Sequence, residues 1–513
     1  MRIGCVYTVE RGATTDKPLP YAMDIPFGIA IIATVLERAG HDIDLLVFSP
    51  RSQWTRRLTT YIETARPRLF CLTAVSTQFA FQREIANLIK RIDPSIFVIL
   101  GGHHASLDPE EAVLTPTLDA ICVGEGDQSV IELARRLEDG EPLTGIPHLW
   151  LKQADGGIER NPPLEFDQDL DTLPYIDRAL WEPWIAAPDK YPSVLLGRGC
   201  PFRCTYCSAH AMARLSEGRF VRFRSPENII GEISAICERY PAVDNIYLEV
   251  ETIAHQKEAG PLFAKLAEFN ASQARPLSFG VNFTVTSTFI RNTEQCRAFL
   301  CMLKAANVVY LNIGLESGSE RLRRDILRRP KYTNAEFLEF CRIAREFDVA
   351  VDLYVLIGIP GETPADFNET IRLVRAARPK MVQLSIFYPY LGTDLANVAL
   401  ERGLVTKQSL SPALERARPA LDLPSFSRRR VRLEYVLFWF KVFRGVWPTR
   451  RILAETVQGI IAGSPALWAT YTRLRDESRV VRSLRARYRA MMNRTEDPGT
   501  IHRPTKIEFT YSD

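Results

Sequence analysis

The chain has 513 residues, 46% of them apolar and 25% charged, enough for two or three cored domains of about 100 to 200 residues each. A net charge of +4 is too small to imply a nucleic-acid partner, and no run reaches the roughly 20 apolar residues of a membrane span. Ten cysteines in so long a chain do not make a disulfide scaffold, and the opening Met1-Arg2-Ile3-Gly4-Cys5-Val6-Tyr7 reads as a strand and not as a signal peptide, so a cytoplasmic protein is expected.

Over residues 1–150, short apolar or β-branched runs alternate with helical periodicity. Strands are expected at Met1–Tyr7, Asp44–Phe48, Leu69–Val75, Phe97–Gly101 and Ala120–Val123, with helices such as Phe27–Ala39 and Phe81–Ile92 between them. The alternation predicts a doubly wound, Rossmann-like parallel α/β sheet, whose ligands gather at the carboxyl ends of the strands. Those ends carry Thr73 to Gln78, Gly101-Gly102-His103-His104-Ala105-Ser106 and Val123-Gly124-Glu125-Gly126-Asp127. Thr73, Ser76, Gly101, Gly102, His103, Gly124 and Glu125 are therefore candidate contacts, the glycines letting the backbone approach a flat, bulky ligand.

The last two segments resemble the Gly-Gly-x-His-Ala and Gly-Glu-Gly strand ends of the cobalamin-binding domain that precedes the barrel in class B radical S-adenosylmethionine (radical SAM) methyltransferases. The resemblance implies cobalamin at this rim. The Asp-x-His-x-x-Gly motif of other cobalamin proteins is absent. Base-off binding without a histidine ligand is expected, with His103 and His104 as turn and edge contacts. A scaffold domain that has lost the corrinoid is the alternative.

Residues 151–190 are rich in Pro, Asp and Trp, show neither period, and are expected as a connector. A second β/α repeat occupies residues 191–400, with strands at Ser193–Leu196, Asn245–Glu249, Leu277–Asn282, Val308–Gly314, Ala350–Gly358 and Met381–Tyr388. Behind the first of these comes Cys200-Pro201-Phe202-Arg203-Cys204-Thr205-Tyr206-Cys207. Three thiolates on one loop can wrap one metal centre, yet a closed four-cysteine site would be one ligand short. A [4Fe–4S] cluster held in this way keeps one iron open. A zinc knuckle or three core cysteines are the plainer alternatives.

The CxxxCxxC spacing is the signature of the radical SAM superfamily, and Gly197 to Cys207 resembles its cobalamin-binding branch. The resemblance implies a partial (β/α)6 barrel, with Cys200, Cys204 and Cys207 holding a cluster whose open iron chelates SAM. It also implies SAM contacts after later strands: Glu251, with Glu249 as the alternative; Glu316 and Ser317 in a Gly-x-Glu-Ser-Gly motif; and Gly358 in a Gly-x-Pro-Gly-Glu-Thr motif. Thr363 of that last motif is equally a helix cap. Tyr388-Pro389-Tyr390-Leu391-Gly392-Thr393 resembles the family's closing Pro-x-Pro-Gly-Thr segment, with Leu391 in place of the second proline.

The function implied is C-methylation of an unactivated carbon. One SAM would methylate cob(I)alamin and a second would yield the 5′-deoxyadenosyl radical that removes a substrate hydrogen. A small-molecule or peptide substrate and an external electron donor of flavodoxin or ferredoxin type go with it. The rivals are a non-methylating oxidase, cyclase or ring-rearranging enzyme, a cofactor-binding sensor, and a methylthiotransferase, for which Cys5, Cys71 and Cys122 would have to hold a second cluster. Residues 401–513 are expected as a helical, Arg-rich region, with Arg428-Arg429-Arg430, Phe438-Trp439-Phe440, Trp447 and Arg475 to Arg494 as its marks. A solvated cationic face with aromatics packed on the barrel is the first reading there, a grip on an anionic substrate, lipid surface or nucleic acid the second.

Overall fold

The computed structural model describes residues 1–9, 16–50, 52–253, 259–410 and 415–464, with scattered positions from 466 to 483. The first sheet contains β1 (Arg2–Thr8), β2 (Asp42–Phe48), β3 (Leu69–Thr73), β4 (Phe97–Gly101), β5 (Ala120–Cys122), β6 (Leu149–Lys152) and β7 (Ile158–Arg160), in the spatial order β2-β1-β3-β4-β5-β6-β7. The first five are parallel, and β6 and β7 add an antiparallel edge. Helices α1 (Phe27–Arg38) and α5 (Asp127–Asp139) cover one face, α2 (Trp54–Ala65) and α3 (Phe79–Ile92) the other. The short α4 (His103–Leu107) follows β4 directly. Strand order reverses between β1 and β3, which puts the crevice of such a sheet at Thr8 and Thr73.

The hairpin β6–β7 corrects two expectations. The boundary drawn at residue 150 falls inside β6, and the start of the expected connector is a strand of the first sheet. The rest of that stretch packs between the two domains: Trp181 is fully buried and meets Tyr7 edge-on, their centroids 6.0 Å apart, while Arg178 and Glu182 pair with Glu232 and Arg239 of the barrel segment.

The second sheet runs β8 (Ser193–Leu195), β9 (Asn245–Glu249), β10 (Ser278–Phe283), β11 (Val308–Glu316), β12 (Ala350–Ile357) and β13 (Met381–Ile386), all parallel and in sequence order. This is the expected six-unit partial barrel. Its helices include α6 (Pro226–Arg239), α7 (Ala259–Ser272), α8 (Thr293–Ala305), α9 (Asn334–Glu346) and α10 (Pro364–Ala377). Their starts are chemically specified. Thr363 Oγ1 accepts from the Asp366 amide while Asp366 accepts from the Thr363 amide, a capping box with Pro364 at the first helical position.

Two further helices, α11 (Arg428–Phe443) and α12 (Thr449–Ala462), follow the barrel. Val431, Tyr435, Phe438, Val442 and Ile452 join the barrel's own core, and Phe438 meets Phe367 of α10 at 6.1 Å. The arginines of the stretch Arg475 to Arg494 lie outside the described residues.

Candidate functional site

The cysteine loop leaves the barrel after Gly197–Arg198, which pair antiparallel with Arg222–Phe223. A Cβ on Gly197 would stand 2.3 Å from the Arg222 carbonyl oxygen, and one on Gly199, whose φ is +93°, 2.3 Å from that of Phe220. Only glycine fits either place. The loop is fastened through Thr205, whose amide and hydroxyl donate to the carbonyls of Leu327 (3.1 Å) and Ile326 (2.6 Å) and whose carbonyl accepts from the Leu395 amide at 2.8 Å.

Cys204 is buried, and Cys200 and Cys207 are half-buried beside it. Burial pushes the Cys200 thiol up to about 12 and Cys207 to about 11, with the neighbouring cysteines and Glu251 adding to the rise. Three thiols held dry and close need a compensating positive charge to ionise, which an iron–sulfur cluster supplies.

Around the loop, Arg329 donates to Cys204 Sγ at 3.8 Å, to the Tyr206 hydroxyl at 3.2 Å and to the Gly314 carbonyl. Tyr206 in turn donates to Glu316 Oε1 at 2.9 Å. Glu316 ends β11 with φ +61°, an unusual conformation for a non-glycine residue, of the kind that clusters at functional sites. Its carboxyl is raised by burial, against the opposing pull of Arg329 and the Tyr206 bond. Glu251 follows β9 and is open to solvent at the cleft. Burial of its surroundings raises its carboxyl, and its own amide and that of Gly199 oppose this. Cys204, Arg329, Tyr206 and Glu316 thus form one connected polar chain, and Glu251 stands within electrostatic reach of the thiols.

Two further residues of the SAM motifs, Ser317 and Gly358, have partners within the protein. Ser317 is fully buried; its hydroxyl accepts from the Ser319 amide at 3.2 Å and faces Thr370 at 3.4 Å, so it fastens the loop behind Glu316 and does not reach the cleft. Gly358 has φ +81°, and a Cβ there would sit 3.4 Å from Val431 of α11. Its amide donates to the fully buried Glu362, so it serves the turn and the docking of α11.

On the first domain, the rim is formed by Thr73, Ser76, Gly101, Gly102, His103 and Gly124. Gly102 (φ +89°) and Gly124 (φ +90°) are required by their turns, and a Cβ on Gly102 would strike Thr73 Oγ1 at 2.7 Å. Gly101 differs. Its missing Cβ would meet nothing nearer than Cys122 Cβ at 3.9 Å, so its glycine leaves open space at the end of β4. Thr73 and Ser76 are half-buried there. His103 is solvent-accessible yet enclosed enough that burial lowers its pKa. His104 is buried and stacked on Phe79 at 3.8 Å, and burial brings its pKa down to about 4. A rim free of side chains at Gly101 and flanked by hydroxyls and an imidazole fits the edge of a corrin.

Glu125 has a different place from the one expected. Its carboxylate accepts two bonds from Arg222, at 2.5 and 3.0 Å, and lies 3.3 Å from Arg198, which also donates to Asp127 at 2.6 Å. Burial would raise the Glu125 carboxyl, but the two arginines outweigh it and hold it below the usual carboxylate range. Glu125 thereby joins the rim of the first sheet to the strand pair that carries the cysteine loop. Arg198 lay in the motif flanking the cysteines, but nothing in the run Arg219-Phe220-Val221-Arg222-Phe223-Arg224 marked Arg222, nor did any motif mark Arg329.

Residues 194–374 match the Radical SAM superfamily, and residues 24–134 match the B12 binding domain. Similar proteins include an uncharacterized methyltransferase of Pyrococcus horikoshii, 26% identical over 74% of this chain and 79% of the relative. The hopanoid C-3 methylase of Methylococcus capsulatus is 27% identical, covering 85% of this chain and 80% of its own. The anaerobic magnesium-protoporphyrin IX monomethyl ester cyclase of Rubrivivax gelatinosus is 22% identical over 72% of this chain and 65% of its own. Among solved structures, the fold resembles the radical SAM methyltransferase TsrM from Kitasatospora setae with cobalamin and [4Fe–4S] cluster bound (TM-score 0.61, 19% identity, 80% of this chain and 79% of that one). It also resembles the cobalamin-dependent radical enzyme OxsB with aqua-cobalamin and S-adenosylmethionine bound (TM-score 0.66, 13% identity, 100% and 78%).

Proposed function

We propose, from the premise that this chain is a radical SAM protein with an N-terminal B12-binding domain, that it is a cobalamin-dependent C-methyltransferase acting on an unactivated carbon. The observation that carries the reading is the Glu125–Arg222–Arg198–Asp127 ion cluster. It ties the ligand rim of one domain to the cysteine loop of the other, which two cofactors serving one substrate carbon require. When bound, the cluster with SAM and the cobalamin would supply a radical that takes a hydrogen from the substrate and a methyl group that replaces it.

The residues divide the remaining work. Cys200, Cys204 and Cys207 would hold the cluster, and Arg329 would donate to the ligand Cys204. Glu251 would accept from the SAM ammonium and Glu316 from its ribose hydroxyls, an ionised carboxylate being a strong acceptor for both. Tyr206 orients Glu316 by its hydrogen bond. Thr73, Ser76, Gly101, Gly102, His103 and Gly124 would border the corrin. Arg198 and Arg222 act at a distance, as positioning residues. A small-molecule substrate and an electron donor of flavodoxin or ferredoxin type complete the reaction. Among the described residues, no helix is long and apolar enough to cross a membrane.

A second reading, oxidative ring formation without methyl transfer, is favoured by the likeness to the cyclase. Anaerobic purification after growth with cobalamin, followed by iron, sulfide and corrinoid quantification, tests the main reading. About four irons and about one cobalamin per chain are expected, with label from methyl-labelled SAM passing to product. Iron without cobalamin overturns the methyltransferase, and cobalamin without label transfer favours the second reading.

A further inference from the structure

Eleven large apolar residues are exposed among the described residues, and eight of them fall in one stretch: Leu433, Phe440, Val446, Leu453, Val457, Ile460, Leu467 and Leu474. Leu453, Val457 and Ile460, 57%, 51% and 42% exposed, recur at helical spacing on one face of α12, while Ile452, Gly459 and Ala462 on the other face are buried. Scattered exposed apolar residues are ordinary, but a contiguous group marks an interaction surface.

The charge around the patch says what kind. From Arg428 to Arg451 the sequence holds eight cations and one acid, Glu434, and that acid is buried and already paired with Arg430 and Lys441. Between Arg451 and Arg473 the only charged residue is Glu455, and from Arg473 to Arg494 the sequence adds eight arginines against two acids. In the sequence, the uncharged apolar face of α12 thus follows one cationic stretch and precedes another. Half-buried Trp439 and Trp447 stack on each other at 5.9 Å and pack against the barrel core, with the Arg451 guanidinium 3.7 Å over the Trp447 ring. A second copy of the chain pairing in parallel through α12 would bring the two cationic stretches Arg428 to Arg451 together, which disfavours that self-association. Apolar side chains that insert shallowly and flanking arginines are the elements of a helix lying in the surface of an anionic bilayer.

We propose that α12, with the exposed residues of α11 beside it, seats this protein on an anionic lipid bilayer, parallel to its plane. The proposal stands apart from the reaction assigned above, since it rests on none of the cofactor-binding residues.

The test is co-sedimentation of the anaerobically purified full chain with vesicles of phosphatidylcholine alone or containing about a third phosphatidylglycerol. Binding to the anionic vesicles, weakened by salt, is expected. The variant Leu453→Glu/Val457→Glu/Ile460→Glu is expected to lose at least about tenfold in affinity, with iron content and far-UV circular dichroism unchanged. Should that variant misfold, Arg429→Gln/Arg450→Gln at exposed positions serves instead and is expected to lose the preference for anionic vesicles. Absence of vesicle binding by the wild type, or binding that the correctly folded variants retain, overturns the proposal. A dimer in lipid-free solution that the apolar substitutions dissolve overturns it in favour of a second copy.

Discussion

Replacing Glu125 by glutamine keeps its shape and removes the charge that joins the two domains. Arg222 is fully buried, whereas Glu125 is about one-fifth exposed. Taking away one partner of a buried pair costs about 3–5 kcal/mol, because the other charge is left uncompensated. Here the loss is smaller. Arg222 keeps the carbonyls of Asp167 at 2.8 Å and Phe220 at 3.2 Å, Arg198 keeps Asp127, and the glutamine oxygen still accepts one bond. Glu125→Gln should therefore cost about 2–3 kcal/mol at pH 7. A double-mutant cycle with Arg222→Gln, read from urea midpoints by tryptophan fluorescence, should return a coupling of about 2 kcal/mol. The Glu125 carboxyl is held low in the folded protein, so its stabilisation is complete above the unfolded carboxylate pKa of about 4.3 and is lost as pH falls through the lowered value. The gap between wild type and variant should close in acid. A loss under about 0.5 kcal/mol at pH 7, or a coupling near zero, would refute the reasoning.

Three other outcomes are expected. Arg329→Gln removes a cation beside Cys204 and should make the cluster harder to reduce, moving its midpoint potential downward in an EPR-monitored titration with iron content retained; an upward shift would count against the contact. Glu316→Gln should weaken SAM binding about tenfold, or about 1.4 kcal/mol, by equilibrium dialysis, and an unchanged Kd would remove Glu316 from the SAM site. Glu362 is fully buried, and burial raises its carboxyl to about 8. The protonated form is thus favoured in the folded state, and stability should fall as pH rises from the unfolded pKa of about 4.3 towards 8, by up to about 5 kcal/mol. Glu362→Gln should flatten that slope, and parallel pH profiles for the two proteins would reject the assignment.

The parallel strands were legible because both of their faces are buried, so β3 and β4 read as unbroken apolar runs, and so do β11 to β13 apart from single polar positions. The hairpin β6–β7 was not. Its strands are short, half-exposed and antiparallel, and their pairing partner, β5, lies across the intervening helix α5. The cysteines were legible from spacing alone. A motif records which residue is present and not which way it turns, and here the turn through Glu316 sends the Ser317 hydroxyl inward to Ser319 and Thr370. Arg222 and Arg329 lay among other arginines, and only burial separates them from their solvated neighbours Arg219 and Arg328.

The end of the barrel returns to the first domain. A Cβ on Gly392 would stand 2.7 Å from that of Leu107, and Lys407 pairs with Asp108 at 2.6 Å across 299 residues of chain. At a synthesis rate of about 5–20 residues per second, that separation corresponds to roughly 15–60 s on the ribosome. Strands β5 to β13 are all made within that interval, so Asp108 waits for almost the whole of the barrel before its cationic partner exists. The closing segment is therefore fastened to the first domain only once synthesis has passed the barrel, and a chain cut short before Lys407 lacks that fastening.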